Sequence, residues 1–513
     1  MSSIPSRSLV AALFVPEEGN YFQCRLCFLR RKQAQGTGYT NLVEHLVRYH
    51  ASTYEDEFRS IQRRKGSLDS FVKGDDFSRN VYHWLDWIVM ENRELSMCEK
   101  TKTRKYTHLK PLCVNTLKKH MFELESVVQA SIKTRLQGKK LGFAVDAWTE
   151  DGTHFVAIIA ITPSDKFLLC FSTLSNESDM SADATIDLFD YVLDTYGIDA
   201  ATQLCFYVCD HASVNVAIAR KTSVPMIGCA SHRMNLAVHA LMEEHTDLLD
   251  KVHRLMTKLN TIKNRHHLRE ADALMPVFRN ATRRSSTFAM IDRYFRIYKK
   301  LDRVDDDLAD FISTPRENVR LKALHEDLKN LESVSKKLQS ATVSLLDVRV
   351  LFDHVMKHYP GTEAQLATTA SLVKFLEFEN GIVKVLASKE RSLTRAERTA
   401  VSKLLKSGTS PSEEVRQETP IPKKRSFAEA ALAEENETAP QNQVDLRWIP
   451  PTSNDVERLF SRAGVVYSRI RRSLNPMALE TVMFLQYNRS LWDASCVAQA
   501  VENNRKKRRA ETR

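Results

Sequence analysis

Leu141-Gly-Phe-Ala-Val-Asp-Ala-Trp-Thr149 reads as a buried strand that ends by placing one carboxylate, Asp146, at a sheet edge. Two more apolar runs of strand length follow, Phe155 to Ile161 and Phe167 to Phe171, separated by the turn Thr162-Pro-Ser-Asp-Lys166. An amphipathic helix is expected from about Ala182 to Tyr196, then a fourth strand, Leu204 to Cys209, that delivers a second carboxylate, Asp210. In a sheet of this order the first and fourth strands can lie side by side. Asp146 and Asp210 would then converge although they are 64 positions apart.

The frame is a chain of 513 residues, long enough for about three domains. Its 75 basic against 64 acidic residues give a formal charge of +11 and a pI near 9.1, which favours a polyanion, nucleic acid first. Nine cysteines without a regular framework suit a reducing compartment. The apolar stretch Leu9 to Val15 imitates a signal peptide but runs into Pro16-Glu-Glu18 with no small-residue cleavage site. No run approaches the roughly 18 apolar residues of a membrane helix, so no membrane partner is expected. Pro422-Lys-Lys-Arg425 and Arg505-Lys-Lys-Arg-Arg509 read either as nuclear import signals or as solvated tails.

Near the start, Cys24 and Cys27 are followed by His45 and His50, a two-cysteine, two-histidine zinc pattern. Two thiolates on a tight turn and two imidazoles about one helical turn apart can close a tetrahedron, and so small a unit needs the metal to fold. The alternative is that the cysteines are ordinary small apolar residues and the histidines merely cap an amphipathic helix, Asn41 to His50. Arg30, Arg31 and Lys32 fall in the loop between the ligand pairs, where they could meet phosphates. This spacing, with Thr40-Asn-Leu-Val-Glu-His-Leu-Val-Arg-Tyr-His50, resembles a BED-type zinc finger and implies DNA binding.

From Phe77 to Leu136 the pattern is helical, with Tyr82, Trp84 and Trp87 as a core stripe and a basic stretch from Lys100 to Lys110. Beyond Asp210-His-Ala-Ser-Val-Asn215 and Cys229-Ala-Ser-His232, helical patterns continue: Leu236 to Asn264, Phe288 to Val304, Glu317 to Leu338, Leu345 to Tyr359 and Leu366 to Leu386. Ser407 to Val444 reads as a flexible linker. A last helix starts near Ser453, with Val456, Leu459, Phe460 and Ala463 as its apolar stripe and Glu457 beside it. Asn454 as N-cap with Glu457 three residues on would also suit a capping box, making Glu457 a helix-start device. Acids at strand ends are likewise common in turns. Taken together, Asp146, Asp210 and Glu457 are what a two-metal phosphodiester site requires. They would hold two Mg²⁺ ions about 4 Å apart, one activating the attacking oxygen and one stabilising the leaving oxygen.

Asp146-Ala-Trp-Thr149, Asp210-His-Ala-Ser-Val-Asn215, Cys229-Ala-Ser-His232 and Pro451-Thr-Ser-Asn-Asp-Val-Glu-Arg-Leu-Phe-Ser-Arg-Ala-Gly464 together resemble the hAT superfamily of DNA transposases. So does the ending, Arg471-Arg-Ser-Leu-Asn-Pro476 followed by Met483-Phe-Leu-Gln-Tyr-Asn488 and Leu491-Trp492. The resemblance implies an α/β ribonuclease-H-like catalytic domain interrupted by an all-α insertion, with a small N-terminal zinc finger. It implies excision in which flanking DNA closes into a hairpin, then transfer of the freed 3′ hydroxyl to target DNA. Asp146, Asp210 and Glu457 match the acidic triad, and Cys229 and His232 match a Cys-x-x-His motif set against the element end. The block from Val456 to Trp492 matches a dimerisation region, implying a homo-oligomer in the nucleus on double-stranded DNA.

On this reading the finger spans 15–60, a helical DNA-binding or oligomerisation region 75–138, and the catalytic domain begins at 139–235. The helical insertion takes 236–406, the linker 407–445, the last catalytic and dimerisation part 446–494, and a basic tail 495–513. Arg284, in Thr282-Arg-Arg-Ser-Ser-Thr287, stands where the family has a tryptophan that stacks on a flipped base. A guanidinium also stacks on bases. The alternative is a domesticated, catalytically inactive nuclear DNA-binding dimer, and a third reading is a basic helical scaffold carrying a zinc finger.

Overall fold

The computed structural model describes residues 6–17, 19–27, 29–34, 38–51, 53–55, 58, 75–174, 176, 179–279, 285–301, 306–405, 426–433, 445–467 and 475–511. The chain is mixed α/β and mostly helical, and it divides into two compact units. Met1–Ile88, Leu95–Leu124 and Trp492–Arg513 form one, and Val89–Glu94 with Glu125–Leu491 form the other. Among the described residues no helix is long and apolar enough to cross a membrane.

The first unit contains the finger. Strands β1 (Phe14–Glu17), β2 (Tyr21–Cys24) and β3 (Arg30–Lys32) make an antiparallel sheet in the order 1-2-3, followed by the helix Thr40–Tyr49. Its core reaches back beyond residue 15, because the helix Ser6–Leu13 supplies Leu9, Val10 and Leu13 to a cluster with Phe14, Cys24, Leu42 and Leu46. The apolar start of the chain is therefore finger core. In the same unit the closing helix, Ala494–Glu511, buries Val497, Ala500, Val501 and Asn504 at helical spacing. Residues 495–511 are thus a docked helix where a basic tail was expected.

The second unit is built on β4 (Leu141–Glu150), β5 (Thr153–Ile161), β6 (Lys166–Thr173), β7 (Leu204–Cys209) and β8 (Met226–Gly228), in the order 6-5-4-7-8. β4, β5 and β6 form an antiparallel meander, whereas β7 and β8 run parallel to β4. The expected neighbours, first and fourth strands, are paired. β8 went unforeseen because three residues cannot show a period.

Alternation along β4 and β7 sorts their side chains between two covered faces. Phe143 and Tyr207 meet Phe189 of the helix Ala182–Tyr196 on one face. On the other, Phe206, Val208 and Ile227 join Phe378, Ile382 and Val385 of the helix Leu376–Leu386. Gly142 opposes Phe206, and a Cβ at Gly142 would fall inside that ring, so the close approach of the two central strands demands glycine there. The edge strand β6 is closed by Asn488, whose side chain accepts from Leu168 N–H at 3.2 Å and donates to Leu168 O at 2.9 Å.

Between Gly228 and Asn454 the described elements are helical, with a core of their own. Pro315–Leu338 starts in a capping box made by Thr314 and Glu317 and buries Leu321, Leu324, Leu328, Leu331 and Val334. The helix expected from Leu236 to Asn264 is broken among three, Ala230–Glu243, Thr246–Leu259 and the start of Ile262–Glu270. Thr246 Oγ1 donates back to Glu243 O at 2.8 Å, which takes a carbonyl away from a continuous ladder. The last expected helix there starts at Leu376, because Arg233 holds the Gln365 and Ala367 carbonyls at 3.0 and 2.8 Å. Part of the expected linker is also ordered: Phe427–Ala433 is a helix with Ala428 and Ala431 in this core. Its pattern was too short to register against the polar residues around it.

Candidate metal centre and acidic cluster

Cys24 ends β2 and Cys27 lies in the turn that follows, while His45 sits on the helix Thr40–Tyr49 and His50 closes it. Their ligand atoms all lie within 4.8 Å of one another. Cys24 Sγ is 3.8 Å from His50 Nε2 and Cys27 Sγ is 3.4 Å from His45 Nε2. Bond lengths of about 2.3 Å to sulfur and about 2.0 Å to nitrogen put tetrahedral ligands roughly 3.5 Å apart, so the quartet fits zinc. Burial raises the Cys24 thiol pKa against the opposing Cys27 and Leu26 N–H groups, and burial lowers that of His45, helped by Arg31 and His50. A neutral imidazole is the form that ligates. Arg31 Nε donates to His45 Nδ1 at 3.3 Å, whereas ligation through Nε2 places the ring proton on Nδ1. The arginine contact and the metal bond are therefore alternatives.

Arg30, Arg31 and Lys32 are not in a loop, as expected, but form β3, paired with Gln23, Phe22 and Tyr21. Arg30 and Lys32 are exposed and Arg31 is half-buried. The Arg30 guanidinium lies 4.9 Å from the Tyr21 ring and that of Arg31 5.6 Å from Tyr49.

In the second unit, pairing of β4 with β7 reaches Ala144 opposite Val208. The same offset carried two residues further sets Asp146 opposite Asp210, the residue that follows β7. Asp146 and Trp148 share one face of β4, since strands alternate with a period of two. The Trp148 ring stacks on Phe155 and on Phe460, at centroid distances of 5.7 and 6.0 Å. Phe460 belongs to the helix Asn454–Val466, where Val456, Leu459 and Ala463 are buried as the stripe required. Glu457 precedes Phe460 by about one turn, so the stack that docks the helix also brings Glu457 toward Asp146.

The capping-box alternative for Glu457 fails. Ser453, not Asn454, is the N-cap and makes no side-chain cap, while Asn454 Nδ2 donates to Leu338 O at 3.1 Å. Burial pushes the Asp146 carboxyl up to about 7, and the nearby charges of Asp210 and Glu457 push the same way against the Ala147 N–H. Glu457 is exposed by surface area, yet protein crowds its carboxyl on the inner side, and this desolvation raises its pKa. Asp210 is fixed differently: Oδ1 accepts from Asn215 Nδ2 at 2.6 Å and from Ala212 N–H at 3.0 Å. Among the described residues, only the Cys–His quartet has three or more ligand atoms drawn within 4.8 Å. The three carboxylates are set more loosely, with Asp210 and Glu457 close enough to Asp146 to raise its pKa.

Cys229 is fully buried and cross-links the site: its N–H donates to Cys209 O at 2.8 Å, and Ser453 N–H donates to its sulfur at 3.5 Å. Ala230 N–H reaches Pro451 O at 2.9 Å, so this turn ties the end of β7 to the start of the helix carrying Glu457. His232 is half-buried and stacks on His211 at 5.6 Å. Desolvation, with His232 and Arg233 nearby, lowers the His211 pKa to about 4. Gly228 is required beside it, because a Cβ there would collide with the imidazole. Arg284 and the Arg471-Arg-Ser-Leu474 stretch lie outside the described residues.

The supporting residues Trp148, Asn215 and His211 were visible only as parts of motifs. Asn215, five positions after Asp210 and in the first turn of a helix, was the one whose spacing could have given away its role. No protein-family model matches this chain, and no curated protein sequence matches it.

Proposed function

We propose that this chain is a metal-dependent DNA transposase of the hAT type, with a ribonuclease-H-like catalytic domain and an N-terminal DNA-binding zinc finger. The observation that carries the reading is that strand register sets Asp146 opposite Asp210 while the Trp148–Phe460 stack docks the helix bearing Glu457 on the face of β4 that Asp146 and Trp148 share. The strand order 6-5-4-7-8, with an antiparallel meander followed by parallel strands, supports the same fold. So does the helical segment that separates the sheet from the helix bearing Glu457.

Asp146, Asp210 and Glu457 would hold two Mg²⁺ ions, which supply charge neutralisation and an activated oxygen for in-line displacement at phosphorus. Asn215 and the Ala212 amide keep one oxygen of Asp210 oriented, leaving the other for a cation. His211 is neutral near pH 7 and adds no positive charge to the acids. The finger would engage duplex DNA through Arg30 and Lys32. Action on double-stranded DNA as a homo-oligomer in the nucleus follows from this reading.

The DNA flanking the gene, searched for terminal inverted repeats, supplies the substrate. Duplexes carrying that end should be nicked and closed into hairpins in Mg²⁺. Asp146→Asn should lower cleavage by about 10³-fold or more while duplex binding persists. Unchanged cleavage in Asp146→Asn, Asp210→Asn and Glu457→Gln would refute the assignment. Arg284 favours a second reading, a DNA-binding dimer without nuclease activity, for which the same assay shows binding and no cleavage.

A further inference from the structure

Arg233, only 5 % exposed, carries a charge into the interior of the second unit. Its Nε and Nη2 donate to the Gln365 and Ala367 carbonyls at 3.0 and 2.8 Å, and the guanidinium lies 5.2 Å from the centre of the Phe352 ring. Nη1 stands 3.8 Å from the carboxylate of Glu379, which is itself largely buried. Desolvation works against both charges, lowering the pKa of the arginine and raising that of the glutamate. A buried ion pair is often no more stabilising than an apolar pair of similar size. What this one contributes is therefore sought in the groups it holds.

Glu379 Oε1 accepts from Gly228 N–H at 3.3 Å. Gly228 ends β8, the last strand on that side of the sheet, and pairs with Cys209, the residue before Asp210. Beyond it, the Cys229 and Ala230 N–H groups bond to Cys209 O and Pro451 O, the Cys229 sulfur accepts from Ser453 N–H, and Arg233 N–H closes the turn on Cys229 O at 3.1 Å. One side of the turn Gly228–Ala230 thus touches both the strand that delivers Asp210 and the start of the helix that delivers Glu457. The other side is held by Arg233 and Glu379, on the helices Ala230–Glu243 and Leu376–Leu386. An apolar pair could fill the same space, but it would leave the Gly228 N–H and two carbonyls without these partners.

We infer that Arg233 and Glu379 are positioning residues for the acidic cluster: they lock the Gly228–Ala230 turn from the helical side and thereby set Asp210 against Glu457. This rests on the nuclease reading proposed above. It also gives the helical segment control over the site. A rearrangement of the helices Leu345–His358 and Leu376–Leu386 that parts the pair frees the turn and lowers the cation affinity of the acids, and cation binding in return favours the closed pair.

The test uses the full chain, with Mn²⁺ as the probe and the calorimetric heat that Asp146→Asn abolishes as the measure of binding at the acids. Glu379→Leu and Arg233→Met should each weaken that binding about tenfold, and lower kcat on the cognate end roughly tenfold to a hundredfold with KM unchanged. Glu379→Gln, which keeps an acceptor for Gly228 N–H, should recover most of both. Amide exchange in Glu379→Leu should quicken at residues 228–233 and 451–457 and stay slow in β5. Leu328→Ala, a core truncation in the same helical segment, should lower the melting temperature and leave Mn²⁺ affinity as in wild type. Unchanged Mn²⁺ affinity and exchange in Glu379→Leu, or an equal loss of affinity in Leu328→Ala, would overturn the inference and leave the nuclease reading standing. Wild type that neither binds Mn²⁺ at the acids nor cleaves rejects that reading and this inference with it. Mn²⁺ binding that depends on Glu379 in a chain that does not cleave keeps the positioning role and rejects the nuclease alone.

Discussion

The Cys–His quartet and the acidic cluster are both sets of side chains of types that can ligate a metal, but they are assembled in opposite ways. The finger's four ligands fall between residues 24 and 50, joined by one turn and one helix. The three acids run from residue 146 to residue 457 and depend on strand register, the turn at Cys229 and an aromatic stack. A local site can be complete in itself and still leave its fold dependent on the ion. A non-local site inherits its geometry from the scaffold, and here the scaffold holds the acids together at the cost of crowding like charges.

Removing metal should therefore unfold the finger and leave the sheet unit intact. Zinc binding in such small units carries on the order of 10–16 kcal/mol that is also folding free energy. Cys24→Ser or strong chelation should release the bound zinc and expose residues 6–51 to protease. Fragment mapping by mass spectrometry would break the comparison if the finger stayed protected or if the second unit were cleaved equally.

Next in size is the aromatic dock. Trp148→Ala should destabilise the second unit by about 3 kcal/mol and loosen the helix carrying Glu457. Divalent-ion affinity at the acids should fall with it, while bound zinc stays unchanged. A calorimetric titration with Mn²⁺ in which Trp148→Ala binds like wild type would separate the dock from the site.

The most gradual effect is on pH dependence, about 1.4 kcal/mol for each pH unit crossed. Asp146 has its pKa raised from 3.8 unfolded to about 7 folded, so its contribution to stability is full below about pH 4 and is lost as pH rises through 7. Without divalent ions, Asp146→Asn should melt higher than wild type at pH 8 and no higher at pH 4. Mn²⁺ competes with that proton, so its affinity should rise up to tenfold per unit between pH 5 and 7 and then level off. A flat profile would mean that Asp146 is not a ligand. The same series read on the finger should report a separate titration.

Much of the scaffold could be read from period alone. Continuous apolar runs gave β4 to β7, because strands buried on both faces leave no room for polar residues. The stripe Val456, Leu459, Phe460 and Ala463 likewise predicted which side of its helix is covered. Shorter signals failed: β8 has three residues, Phe427–Ala433 has seven in a polar stretch, and the basic end of the closing helix hid the apolar stripe before it.

At the candidate sites the sequence by itself determined the Cys–His quartet, since turn and helix geometry bound the distances between side chains so close along the chain. It also named Asp146, Asp210 and Glu457, since strand ends and a helical stripe mark where each lies. The sequence expected the strands of Asp146 and Asp210 to be neighbours, but tertiary structure alone decided the register that sets the two opposite each other and that Trp148 docks the helix of Glu457. It alone made Cys229 a buried cross-link and the basic run 505–509 part of a folded surface. Register, docking and burial arise between segments whose separation along the chain sets no distance, so only packing could fix them.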